Sequence, residues 1–335
     1  MFSSFKIPCA FLAVSLCSLS TGPMASAALI SQVANASAST GWNTSSIWGS
    51  APTAGNDYQT ISTGSSTAIY VLNGTTWNQN SWSVRDVVDA SNTISTTFGG
   101  DHLIVNANTS LNGRATGGST QTVNLVLNGG MYRGNTVTNA NQSTTLAGTV
   151  AFGTSSTMGV MGALSPANNT TFTFNLSSTI IGAEGNTLQL TMNGGATRTV
   201  LFNVTGDLSN FSGTIYAGVS SGGVAPGVSS SSAFAITSSA LSATLQLDTT
   251  TTNFHYNLGN TNVSFGALAL GNGIGIAVNP GTYDATALNT LAGGSYFTGV
   301  GTITVVPEPD TTTLSLVGMM IALASFHLRR SRKIS

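Results

Sequence analysis

Few residues of this 335-residue chain have the types and spacing that chemistry needs. Gly218-Val219-Ser220-Ser221-Gly222 spells G-x-S-x-G, the turn that presents a nucleophilic serine between a strand and a helix. The residues that follow, GVAPGVSSSS, are too rich in Pro, Gly and Ser to make that helix. His255 alone lies downstream in the body to act as base. Asp86, Asp89 and the Asp101-His102 pair form a second set, since paired carboxylates can hydrolyse glycosides or hold calcium. Asp86 and Asp89 sit beside Arg85, Asp101 follows a Gly-Gly turn, and no D-x-D-x-D-G spacing exists, so these acids read as a solvated face. His102 and His255 stand apart in sequence, which supports no zinc or copper site. The third set is aromatic: Trp42, Trp48, Trp77 and Trp82 crowd into 41 residues. They suit either a platform for stacking neutral sugars or a plug closing the open end of a stacked β-fold.

The elements that would position these residues are built from unusual material. Charged residues are 6% of the chain, against about 25% in ordinary domains. Hydrophobic residues are nonetheless 41%, too many for a disordered polar chain, so a core can be buried. Between Ala28 and Val306 there are four Arg (Arg85, Arg114, Arg133, Arg198), no Lys, seven Asp and one Glu, a net charge of −4. That body lacks the basic patch that nucleic acid requires. It also lacks the clustered Arg and Lys that would hold a uronate polymer. No cofactor is expected.

The N-terminus reads as a secretory signal peptide over residues 1–27. One Lys precedes an apolar run from Ile7 to Leu19, and Ala25-Ser26-Ala27 offers a small-x-small cleavage site at Ala25 and Ala27. Both cysteines, Cys9 and Cys17, lie in that leader, so the mature chain has no thiol chemistry.

From about Leu103 the body (28–306) becomes a series of short β-prone runs separated by Gly, Asn and Ser. Phe172 and Phe174, Leu188 and Leu190, and Leu245 and Leu247 alternate with polar residues, the period of half-buried strands. Asn-Gly pairs at 73–74, 112–113, 128–129 and 193–194 mark tight turns. The early runs recur every twenty to twenty-four residues. An all-β fold follows, either a right-handed parallel β-solenoid (β-helix) or a β-sandwich. Low charge favours the solenoid, because stacked coils place like residues above one another. Asn, Ser and Thr ladders hydrogen-bond there, whereas charges repel.

LSNFSGTIYAG (208–218), with TLAGTVAF (145–152) before it, resembles the autotransporter-associated β-strand repeat. TGWNTSSIWGSAPTAGNDYQTIS (40–62) is similar to the N-terminal cap of large bacterial surface proteins of that type. The resemblance implies a β-helical exported body. No C-terminal membrane barrel accompanies it, so self-translocation is not implied.

The last thirty residues are organised differently. Pro307-Glu308-Pro309 is stiff and extended. Residues 311–328 would make about 27 Å of transmembrane helix, just short of a ~30 Å hydrocarbon layer. Arg329, Arg330, Arg332 and Lys333 form a basic block that the positive-inside bias holds in the cytoplasm. Together these three parts (307–335) resemble the PEP-CTERM sorting signal. The resemblance implies a substrate of an exosortase, a membrane-embedded transpeptidase of Gram-negative bacteria. Pro307, Glu308 and Pro309 would be recognised, the basic block would stop translocation, and the body would pass to the cell surface or extracellular polysaccharide. The expected protein is non-catalytic: an inner-membrane-tethered precursor, then a surface or biofilm-matrix component with exosortase and exopolysaccharide as partners. A neutral-carbohydrate-binding module is the alternative, and a polysaccharide-degrading β-helix enzyme a more distant one.

Overall fold

The computed structural model describes residues 27–34, 41–61, 68–72, 75–79, 84–85, 96–113, 118–135, 141–154, 156–164, 169–193, 197–219, 229–250, 254–271 and 275–306. The described chain is mostly β and builds two 11-stranded sheets; in each, ten strands follow one another and an eleventh, Thr179–Ile180 in the first and Ile276–Val278 in the second, pairs alongside Gln142–Phe152 and Asn262–Leu270 respectively. Sheet I runs in the order Ala28–Ser31, Asn56–Gln59, His102–Asn106, Thr120–Asn128, Gln142–Phe152, Thr171–Leu176, Thr199–Val204, Ser232–Ile236, Phe254–Asn257, Phe297–Thr298. Sheet II runs Val84–Arg85, Ser110–Gly113, Met131–Asn135, Met158–Leu164, Thr187–Asn193, Thr214–Val219, Ala240–Leu247, Asn262–Leu270, Thr302–Val305, Gly281–Asp284.

From His102 to Leu270 the chain crosses from one sheet to the other and back. Each of these strands pairs in parallel with a strand one circuit away, as Thr171–Leu176 does with Thr199–Val204. That is a β-helix-like arrangement. A sandwich would need antiparallel hairpins between successive strands. Among the described strands, antiparallel ladders are made by the hairpin Ala68–Leu72/Thr75–Gln79 and by the strands Ile276–Val278 and Gly281–Asp284 near the end. The spacing is less regular than the sequence suggests. Leu103 pairs with Leu125, 22 residues on, but Leu201 pairs with Ala233, 32 residues on. Residues are inserted in the connections between strands, where lengthening a loop costs little.

Alternation decides what each sheet buries. Thr171–Leu176 and Thr199–Val204 each place every second residue in the core. Parallel register then stacks those residues in rows. Phe174, Phe202, Phe234, Tyr256 and Phe297 occupy one row across five strands. Their neighbouring ring centroids are 4.8, 5.3, 6.0 and 5.3 Å apart. Tyr132 of sheet II stacks on Phe174 at 5.5 Å and closes the other end of the row. Polar rows form on the outer face of sheet I. Asn128 Nδ2 donates to Asn106 Oδ1 at 2.7 Å, Asn203 Nδ2 to Asn175 Oδ1 at 2.9 Å, and Gln59 Nε2 to Ser31 Oγ at 2.9 Å. These are the amide and hydroxyl ladders that low charge led us to expect.

Both ends of the core are covered. A single helical turn, Ser45–Trp48, buries Ile47 and Trp48 at one end. At the other, helix Ala285–Ala292 buries Leu288. Its N-terminus is capped by Asp284, whose side chain accepts from the Ala287 N–H at 2.8 Å, and Gly293 ends it in the left-handed region. Gly213, in the repeat-like Phe-Ser-Gly-Thr stretch, shows why glycine is required. A Cβ there would lie 2.2 Å from the Asn186 carbonyl oxygen, so only glycine lets the two coils approach.

Candidate functional site

Trp42 and Trp48 lie inside the protein, 0% and 3% exposed. With Tyr58 and Phe98 they form an edge-to-face cluster whose ring centroids are 5.1–6.3 Å apart. The Trp48 indole N–H donates to the Trp42 carbonyl at 2.7 Å. Rings buried in this way present no face for a sugar to stack on. Trp77 lies on the strand Thr75–Gln79, opposite Tyr70 in the hairpin, and Trp82 lies outside the described residues.

The candidate acids and histidines are dispersed. His102 Nδ1 and Asp57 Oδ1 are 2.8 Å apart on adjacent strands at the surface. Asp101 instead accepts from the Gly55 N–H at 2.9 Å and braces a turn. Asp86 and Asp89 lie outside the described residues. His255 is on the last coil, its Nδ1 3.1 Å from the Ser295 carbonyl. Gly218 and Val219 of the G-x-S-x-G stretch end a strand of sheet II; Ser220 to Gly222 are outside the described residues. Among the described residues no group of three His, Cys, Asp or Glu could hold a metal ion. No described helix is long and apolar enough to cross a membrane. The sorting-signal residues Pro307, Glu308 and Pro309, the 311–328 segment, and Arg329, Arg330, Arg332 and Lys333 all lie outside the described residues, as does Ala25.

What the fold does gather is a polar groove of about 400 Å³ between coils, lined by Glu184, Ser212, Thr214, Ser242 and Thr244. Thr214 and Thr244 are register partners on sheet II, so parallel stacking itself places their hydroxyls one above the other. Glu184 comes from the turn after the Thr179–Ile180 strand. Hydroxyls flanking one carboxylate can accept and donate hydrogen bonds to a neutral polyol. No sequence motif marks the groove, because its residues come from three separate stretches.

A second polar cluster is buried. The Tyr216 hydroxyl donates to Asp248 Oδ2 at 3.1 Å, and Asp248 Oδ1 accepts from the Thr250 N–H and hydroxyl at 2.9 and 2.6 Å. The Tyr256 hydroxyl donates to the Ala217 and Asp248 carbonyls at 2.8 and 3.0 Å. Burial first, then the Asp248 charge, pushes both phenols well above their ordinary range. These tyrosines remain neutral donors at any physiological pH, which suits them to holding coils together. No family model, curated protein or solved structure matches this chain.

Proposed function

We propose that the chain is a non-catalytic exported protein of the cell surface or extracellular matrix. The observation that carries this reading is the uninterrupted row Phe174–Phe202–Phe234–Tyr256–Phe297 beneath an outer face of amide and hydroxyl ladders. A body stacked this way is a stiff rod whose surface is polar yet almost uncharged. Such a surface contacts hydrated neutral polymer without ionic repulsion. Right-handed winding as a β-solenoid fits the handedness of crossover connections between parallel strands. In this reading residues 1–27 direct export. Residues 307–335 tether the precursor in the inner membrane until an exosortase recognises Pro307-Glu308-Pro309, and exopolysaccharide is the neighbour of the mature form. The burial of Trp42 and Trp48 supports their role as an end plug.

The test is fractionation of cells that do and do not carry an active exosortase. The mature body should leave the inner membrane only in the former, and Ala at 307–309 should trap a full-length species there. Equal release with the three residues replaced would refute the processing claim.

A second reading, a neutral-carbohydrate-binding module, draws on the groove at Glu184, Ser212, Thr214, Ser242 and Thr244. Binding on a glycan array that Thr214→Val and Thr244→Val abolish, with folding intact, would favour it.

A further inference from the structure

The two ends of sheet I are finished differently. At one end the edge strand is Phe297–Thr298, and the Thr298 carbonyl accepts from the Leu258 N–H of the neighbouring strand at 2.8 Å. Phe297 faces the other way, where the side chain of Asn289, from helix Ala285–Ala292, stands in for a further strand. Asn289 Oδ1 accepts from the Phe297 N–H at 2.8 Å, and its Nδ2 donates to the Phe297 carbonyl at 2.9 Å. At the other end the edge strand is Ala28–Ser31, which among the described strands pairs with Asn56–Gln59 alone. The Gln32 N–H donates to the Gln59 carbonyl at 2.9 Å, so even-numbered residues here turn their backbone groups to the sheet and odd-numbered ones turn theirs away. Val33, turned away, donates to the Ile47 carbonyl at 2.7 Å. Leu29 and Ser31 face the same open side and are both exposed, Leu29 by 55%. Free edges are ordinarily guarded by Lys, Pro or a bulge, and ALISQV (28–33) has none of these.

We propose that a second copy of this chain pairs with that edge, antiparallel about a two-fold axis at Ile30. Register selects this partner first. With Ile30 opposite its counterpart, Leu29 of each copy faces Ser31 of the other. These are the residues whose backbone groups face the open side, so N–H and C=O are exchanged on both sides of the axis. The faces then agree. Ile30, the register partner of Tyr58, packs against the core, and Leu29, the partner of Asp57, points outward. The two-fold sets core side beside core side and solvent side beside solvent side. Charge is the third argument, because any ion near a two-fold axis meets its own copy. From Ala28 to Asn56 the sequence carries no Asp, Glu, Lys or Arg, and the first acid, Asp57, is matched by His102 at 2.8 Å. Such a contact is isologous and closes on a pair, while Asn289 seals the far edge of the sheet against a third copy. Two bodies are then joined end to end through one continuous sheet.

The test uses the full chain in mild detergent, with its two cysteines, Cys9 and Cys17, replaced by Ser. Sedimentation should show a dimer that dissociates on dilution. Leu29→Pro removes one outward N–H from each copy and leaves the bonds to Asn56–Gln59 in place. It should raise the dissociation constant at least ~10-fold, with the circular dichroism spectrum unchanged. Separately, Ile30→Cys sets two thiols across the axis with Cα atoms ~4.5 Å apart, within reach of a disulfide. Val33→Cys is more exposed than Ile30→Cys, yet it lies about 20 Å from its counterpart in this register. Mild oxidation should therefore link Ile30→Cys chains in pairs and leave Val33→Cys chains single. A monomer at every concentration would overturn the proposal. So would a dimer indifferent to Leu29→Pro, or linkage of Val33→Cys as ready as that of Ile30→Cys. Should Leu29→Pro not fold, the two cysteine variants decide the matter alone.

Discussion

Phe202 is the middle rung of the aromatic row, fully buried, with ring centroids 4.8 Å from Phe174 and 5.3 Å from Phe234. Replacing it by Ala removes a whole ring between two rings that are themselves fixed by their strands, so the gap cannot close. Cavities of this kind cost about 3–5 kcal/mol. Phe297 occupies the terminal rung and has one ring neighbour in the row, Tyr256 at 5.3 Å. Phe297→Ala should therefore cost less, on the order of 2–3 kcal/mol, because the chain end can relax into the space. Phe202→Leu retains most of the volume and should cost about 1–2 kcal/mol. Guanidinium unfolding followed by far-ultraviolet circular dichroism measures all three. In a stacked array the middle position carries a further signature. Weakening it uncouples the coils on either side, so the single transition of the parent should broaden or split, whereas the terminal variant should keep one transition. The reasoning fails if Phe202→Ala costs no more than Phe297→Ala, or less than about 1 kcal/mol.

Other consequences follow from the same geometry. Trp48→Ala should destabilise by about 3–5 kcal/mol and red-shift the emission of the remaining tryptophans, while neutral oligosaccharides added to the parent leave its emission unchanged; a sugar-dependent shift would restore the platform reading. Asn203→Ala should cost only about 1 kcal/mol, since its amide bond to Asn175 is partly solvated; a loss above ~3 kcal/mol would mean the ladder is a cooperative network. Tyr216 and Tyr256 ionise in the folded state only well above their ordinary value of 10.0, so their stabilisation is fully present below pH 10 and is lost as pH rises beyond it. Denaturant midpoints measured from pH 8 to 11 should fall at the alkaline end, less steeply for Tyr216→Phe, and a flat profile would contradict the burial of these phenols. His102→Ala should change stability by less than about 0.5 kcal/mol, because its pairing with Asp57 is solvent-exposed.

Much of this fold was legible because one signal, alternation, is both local and sufficient. Thr171–Leu176 must bury Phe172, Phe174 and Leu176 on one side whichever partner it finds. The choice of parallel stacking was legible more indirectly, from the absence of charges that ladders would bring together. Other features were not legible. Period-two alternation is the same in both sheets, so it could not show that TFTFNL and TLQLTMN lie on opposite sides of the core. It could not foresee that Gln189 and Tyr216, outward by parity, would be as buried as Leu188. The tryptophan cluster was visible as a composition, but residue type alone does not distinguish a plug from a platform; contacts with Tyr58 and Phe98 do. The groove at Glu184 had no signature because stacking, not sequence proximity, assembles it.

The scarcity of ions follows from this architecture rather than from a ligand. Each outward position in a parallel stack meets its counterpart about 4.8 Å above and below. Two like charges at that separation repel by about 0.9 kcal/mol in water, and by several times more where the surface excludes water. A charge repeated coil after coil would therefore accumulate a penalty comparable to the stability of a whole domain. Amides and hydroxyls at the same positions gain a hydrogen bond instead, as Asn175 and Asn203 do. The placement of several of the acidic residues agrees with this, and Arg85 and Arg133, which share a register row of sheet II, are separated by Asn112 between them. Asp57 faces His102 across a register pair, an acid opposite a base. Glu184 and Asp207 lie outside the strands, and Asp284 ends an edge strand of sheet II, where it caps a helix. Asp248 follows a strand and is held by Tyr216 and Thr250. The nearly neutral surface is thus what a stack of coils must have, and any ligand that prefers it is exploiting a constraint the fold had already imposed.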